Sequence, residues 1–152
     1  MDTEVKWEGN YSIRISVPDP GNSSGEDRES LDLEQSLPIL KADTEYRISF
    51  YIKTKSIEPY PENRPGWPMS MRGACVNIWA GGNNWFPAPS FTGTKGWTKQ
   101  GFIFKTPKDM EAEHLKPYRS YIRVRLIYAF GTVWFDDSRL EEIVKAVKQI
   151  EK

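Results

Sequence analysis

Cysteine and histidine are almost missing from this 152-residue chain: Cys75 and His114 are the only examples. A single thiol excludes an internal disulfide and a cysteine-rich metal centre. A single histidine excludes a multi-histidine metal site. A Cys–His nucleophile pair would need Cys75 and His114 to meet, and nothing local brings them together. Net charge of either sign is also missing. Lys and Arg number 21 against 21 Asp and Glu, so no basic excess marks nucleic acid as a partner. No apolar run approaches the roughly 20 residues of a membrane-spanning helix. The opening MDTEVKWEGN lacks the positive and apolar regions of a signal peptide. The expectation is an intracellular protein, or a piece of a longer chain that is extracellular if cut from a secreted enzyme. No phosphate-binding loop, dinucleotide fingerprint or calcium-loop motif occurs.

Large rings, by contrast, are plentiful. Six Trp, seven Tyr and seven Phe make up 13% of the chain, yet mean hydropathy is only −0.62. At this length folding buries roughly 69% of the unfolded surface, enough for one core in one domain.

The dominant period is two. In Tyr11-Ser12-Ile13-Arg14-Ile15-Ser16-Val17, apolar 13, 15 and 17 alternate with polar neighbours, the mark of a half-buried strand. The same alternation turns Ile48, Phe50 and Ile52 inward, then Ala74, Val76 and Ile78, then Phe102 and Phe104. It continues with Ile122, Val124 and Leu126, and with Val133 and Phe135. A weaker pattern marks a strand over residues 30–37. Proline- and glycine-rich breaks at 18–25, 59–68, 81–84 and 93–96 separate these runs. Many short strands between turns predict an all-β fold, a sandwich or barrel of antiparallel strands.

The tail reads differently. Ser138-Arg139-Leu140-Glu141 matches a capping box, and Leu140, Ile143, Val144, Val147 and Ile150 follow at helical spacing. This predicts a β-sandwich over 1–137 and a C-terminal amphipathic helix over 138–152. That helix would pack on the sandwich, on a neighbouring domain, or on a second copy of the chain.

Strand parity leaves a second set of side chains facing outward. These are Tyr51 and Lys53, Asn77 and Trp79, Arg123 and Arg125, and Trp134. Rings and planar polar groups would share one face if their strands belong to one sheet. Such a mixture suits a sugar, whose apolar C–H patches stack on rings while its hydroxyls need polar partners. Trp85 and Trp67, flanked by Gly, Asn and Pro in loops, are placed to rim such a face. Catalysis is not expected. Glycoside cleavage needs two carboxyl groups roughly 5–9.5 Å apart, and adjacent Asp136 and Asp137 point to opposite sides of an extended segment. Glu111 and Glu113 fall in a charged loop.

Four segments resemble one known family in the right order. Trp7-Glu8-Gly9-Asn10-Tyr11-Ser12-Ile13-Arg14-Ile15 is similar to the "hsGkySlki" strand of carbohydrate-binding modules of the family 4/9/22 type. Residues 42–54, ADTEYRISFYIKT, resemble their "pgttYrlsfwvkt" segment. Thr92-Gly93-Thr94-Lys95-Gly96-Trp97-Thr98-Lys99, with Phe102 and Phe104 after it, resembles the family's "gt…dWqkv" strand. Gly131-Thr132-Val133-Trp134-Phe135-Asp136-Asp137 resembles the closing "gtvwfDDv" strand.

The resemblance implies a galactose-binding-like jelly roll that holds an oligo- or polysaccharide on a concave sheet face, without catalysis. It also implies attachment to a polysaccharide-acting catalytic domain. Tyr51 and Trp134 match positions that often contact sugar in this family, and Trp97 matches a structural one. The family's usual first segment, "N…sFE.g", with its edge strand and acidic calcium ligand, lies ahead of the matched region and is not seen. Asp136 and Asp137 are candidates for the remaining half of a structural calcium site. The competing reading is a structural or protein-interaction sandwich domain of a larger protein, with no sugar ligand. A small jelly-roll hydrolase or lyase ranks behind both.

Overall fold

The computed structural model describes residues 1–19, 30–60, 68–80, 84–109 and 120–144. Eight strands follow one another: β1 (Ile13–Val17), β2 (Ser30–Ser36), β3 (Glu45–Pro59), β4 (Gly73–Trp79), β5 (Trp85–Pro87), β6 (Gly93–Lys105), β7 (Tyr121–Ile127) and β8 (Ala129–Glu142). One turn of 3-10 helix, Met69–Met71, precedes β4. The strands form two four-stranded sheets in the orders β1-β8-β3-β6 and β2-β7-β4-β5. Every adjacent pair is antiparallel. The all-β jelly-roll sandwich is therefore present as the sequence reading expected.

Parity predicts the core well. Ile48, Phe50, Ile52, Val76, Ile78, Leu126, Val133 and Phe135 all fill the space between the sheets. Phe50 and Phe135 approach from neighbouring strands with ring centroids 6.4 Å apart. Burying each such ring contributes about 1.5–3 kcal/mol relative to exposure. Their alternation fixes register, because a one-residue slip would turn the whole set to solvent.

Three expectations need correction. Residues 138–142 are the end of strand β8, not the first turn of a helix. Asp137 adopts φ +44° and the β3–β8 register shifts there, between the pairs Ser49↔Arg139 and Tyr51↔Asp136. This bulge re-phases the strand, so Leu140 lies opposite Ile48 and packs on the core. Ladder pairing and burial override a local capping signal that the tertiary structure never uses. With the first turn gone, docking or self-association through a helix starting at 138 loses its basis, and residues 145–152 lie outside the described residues.

The break expected at 93–96 is the start of β6. There Thr94 Oγ1 accepts from Ser56 N at 2.8 Å and Thr54 Oγ1 accepts from Lys95 N at 3.1 Å. These side-chain bonds carry the pairing across the irregularity, so the glycines do not end the strand. Trp85, expected in a loop, sits in β5 and pairs with Trp79. Trp67, Glu111, Glu113 and His114 fall outside the described residues.

Gly131 shows how tightly β8 meets β3. Its φ is +117°, and a Cβ would overlap the carbonyl of Ser56. Gly131→Ala should lower stability by about 2–3 kcal/mol through strain and overlap. Gly96→Ala, with nothing within 4 Å of its Cβ position, should change stability by less than about 0.5 kcal/mol. Urea unfolding midpoints of the two variants check the contrast.

Candidate functional site

The residues expected to form one site divide between the two sheets. Tyr51 on β3 and Trp134 on β8 face outward from the first sheet. Asn77 and Trp79 on β4, Trp85 on β5, and Arg123 and Arg125 on β7 face outward from the second. The condition under which all would share a face is not met. Parity assigns a side chain to the inside or the outside, and it does not say on which sheet that outside lies.

The chain's own N-terminal segment lies over the first face. Asp2 and Ser12 form a backbone bridge, with Asp2 N to Ser12 O at 2.8 Å and Ser12 N to Asp2 O at 2.9 Å. Between them, Asp2 Oδ1 accepts from the backbone N–H of Glu4 and Val5, and Asp2 Oδ2 accepts from Trp134 Nε1 at 2.9 Å. Trp134 is consequently buried, with Lys53 Nζ 5.5 Å from its ring centroid. Trp7 lies flat on Tyr51, with centroids 4.2 Å apart and planes 14° from parallel. Asp136 Oδ2 secures this segment by accepting from Trp7 N at 2.8 Å and Glu8 N at 3.3 Å.

These bonds bear on calcium. Calcium takes six to eight oxygen ligands. The second oxygen of Asp136 accepts from Asp137 N at 2.7 Å, and Asp137 Oδ1 accepts from Arg139 Nε at 2.8 Å. No cluster of three or more Asp, Glu, His or Cys able to hold a metal occurs among the described residues. The donors present around Asp136 and Asp137 do not fit a calcium site. Asp136 instead ties the N-terminal segment to β8.

The second face is built in rows by the β2-β7-β4-β5 ladder. Tyr121, Trp79 and Trp85 form one row through the pairs Trp79↔Tyr121 and Trp79↔Trp85. Trp79 stacks on Tyr121 with centroids 5.5 Å apart, and Trp85 meets Trp79 edge-on at 4.5 Å. Burial of the Tyr121 phenol raises its pKa. The next row holds Glu34, Arg123 and Asn77, and the one after it Asp32, Arg125 and Cys75. Arg125 Nε donates to Asp32 Oδ1 at 2.8 Å and its Nη2 to Ser30 Oγ at 3.2 Å. Arg123 pairs with Glu34 through Nη2 and lies 3.6 Å from Asp32 Oδ2 through Nη1. The Arg123 guanidinium carbon lies 5.1 Å from the ring centroids of both Trp85 and Tyr121, within cation–π range.

Asp32 and Glu34 were not singled out from the sequence. The signal was available, because both occupy alternate positions of the weak strand over 30–37. Its weak apolar pattern concealed which face they shared.

An open cleft of about 230 Å³ continues the same face, lined by Cys75, Asn77, Ile127, Met71, Pro87 and Pro89 among others. Asn77 is 1% exposed and its Oδ1 accepts from Cys75 Sγ at 3.4 Å. Burial pushes the Cys75 thiol up to about 12. It therefore stays protonated at neutral pH.

With this geometry in view, likeness to known proteins is confined to structure. No family model matches the chain, and no curated protein matches it by sequence. Solved structures do match. A "Family 16 Carbohydrate Binding Module-2" superimposes with a TM-score of 0.59 at 16% identity, over 93% of this chain and 83% of that one. The chain has the jelly-roll fold of carbohydrate-binding modules. A structure described as "CBM4 structure and function" agrees, with a TM-score of 0.52 at 20% identity over 86% of this chain and 70% of that one. A cyclase from Fischerella sp. TAU, in complex with 4-(1H-indol-3-yl)butan-2-one, has a TM-score of 0.61 at 20% identity, over 92% and 67%. One sandwich thus serves both binding modules and an enzyme, so the residues on the faces must decide function.

The N-terminal anchor has a pH signature. Hydrogen bonds from Val5 N–H first, then from the Trp134 indole and Glu4 N–H, hold Asp2 down to about 2 from an ordinary 3.8. A carboxyl group with a lowered folded-state pKa stabilises the fold above its unfolded value and stops doing so as pH falls through the folded one. Wild-type stability should therefore drop more between about pH 4 and pH 2 than that of Asp2→Asn. Urea unfolding across that window measures the difference, and equal slopes would remove Asp2 as the anchor.

Proposed function

We propose that this chain is a non-catalytic carbohydrate-binding domain whose ligand lies on the outer face of the β2-β7-β4-β5 sheet. One observation carries the reading. Trp79, Trp85 and Tyr121 form a cluster beside two guanidinium groups and a cleft with Asn77 in its wall. Rigid rings bury sugar C–H surface at little entropic cost, and planar amide and guanidinium groups suit hydroxyl pairs. The fold shared with family 16 and CBM4 structures supports the same class of ligand.

Tyr51 and Trp134 take a different part in this proposal. Trp7 covers Tyr51, and Asp2 takes the indole N–H of Trp134. Both act as attachment points for the N-terminal segment rather than as sugar contacts. The non-catalytic reading rests on Asp32 and Glu34, the two carboxylates on the second face among the described residues. Each is engaged by arginine. Attachment to a polysaccharide-acting catalytic domain fits such a module and belongs to the proposal.

Affinity gel electrophoresis in a panel of soluble polysaccharides tests the assignment. Wild type should be retarded by at least one glycan. Trp85→Ala and Tyr121→Ala should each weaken that retardation about ten-fold or more, as removal of a central aromatic contact does. Tyr51→Ala should leave it unchanged. Circular dichroism confirms that the variants fold. A loss confined to Tyr51→Ala would move the site to the other sheet.

A further inference from the structure

The charges on the second face cancel within two rows of side chains. Arg123 and Arg125 supply two positive charges, and Asp32 and Glu34 supply two negative ones. The cancellation is direct. Arg125 is 6% exposed and spends its Nε on Asp32 and one Nη on Ser30. Arg123 Nη2 donates to Glu34 and, at 3.3 Å, to the Tyr121 hydroxyl, while Nη1 turns toward Asp32.

Resting on the glycan-binding reading of this face, we infer that Asp32 and Glu34 are its specificity-determining residues and restrict it to uncharged glycans. An arginine with its fork free is a strong bidentate partner for a carboxylate, and a polyuronate such as polygalacturonate carries one on each sugar. Here Nη2 of the Arg123 fork already donates to Glu34 and Nη1 faces Asp32, while its Nε is buried without a partner among the described residues. An incoming uronate would have to displace Glu34 from Arg123 and would meet two like charges beside it. A neutral sugar meets no such repulsion. It stacks on Trp79 and Trp85 and finds guanidinium edges held still by their ion pairs. The acids thus act in two ways: they fix the arginine planes near the rings, and they remove the attraction those arginines would exert on acidic chains.

The site allows a clean test, because the Glu34 side chain is 47% exposed and its replacement leaves the core untouched. Wild type, Glu34→Gln and Asp32→Asn/Glu34→Gln are run in gels containing polygalacturonate and, separately, arabinoxylan, galactan, mannan and mixed-linkage glucan, at low and high salt. Thermal unfolding verifies each variant, and Glu34→Gln alone decides the matter if the double variant does not fold. The expected result is wild-type retardation by a neutral glycan, insensitive to salt, with none by polygalacturonate. Glu34→Gln should gain polygalacturonate retardation of about ten-fold or more, lost again at high salt because it is electrostatic. Wild-type binding to polygalacturonate as tight as to a neutral glycan would overturn the inference and leave glycan binding standing. So would a folded Glu34→Gln that gains nothing. Wild type retarded by no gel would overturn both.

Discussion

The pairing of β3 with β8 is the constraint on which the rest of this molecule depends. These are the two central strands of the first sheet, and each carries one of the two largest fully buried rings, Phe50 and Phe135. Their ladder is interrupted twice, once near Asp137 and once between Lys55 and Glu58. Each interruption adds a residue and rotates the side chains that follow. The first returns Leu140 to the core. The second lies beside Ser56, with φ +51°, where only a glycine at 131 lets the strands close. Had the ladder been regular, Leu140 would have pointed to solvent, and β8 would have had reason to end earlier.

The two outer faces solve the same problem in different ways. Each bears aromatic side chains that no second sheet covers. On the first, residues 2–12 of the chain lie across Tyr51 and Trp134, held at the start by Asp2 and at the middle by Asp136. On the second, the rings of β4, β5 and β7 pack against one another and against an ion-paired layer of Arg123, Arg125, Asp32 and Glu34. The first arrangement uses the rings as anchors. The second leaves a cleft at its edge, and there the proposed glycan site is placed.

Much of the fold was legible because period-two alternation is a local property with a local cause. Core residues on β1, β3, β4, β6, β7 and β8 could be named from their spacing alone. What misled was equally local. The capping-box pattern of Ser138 and Glu141 describes what a helix would use if the segment were free to form one, and strand pairing with Arg47 and Ile48 prevents it. Residues 93–96 looked like a turn because the bonds of Thr94 to Ser56 and of Lys95 to Thr54 reach about forty residues away in sequence.

Composition and spacing by themselves determined an all-β domain, sandwich or barrel, rich in outward-facing rings and balanced in charge. They also determined which side of its strand each residue occupies, since that follows from the pleat. Only the tertiary structure decided which of the two sheets each strand joins. Tyr51 and Trp134 were thereby separated from Asn77, Trp79, Trp85, Arg123 and Arg125, and the acids of β2 were brought against the arginines of β7. The physical reason is that pleat parity is carried by neighbours along the chain, whereas sheet membership and ion pairing are settled by partners some ninety residues away.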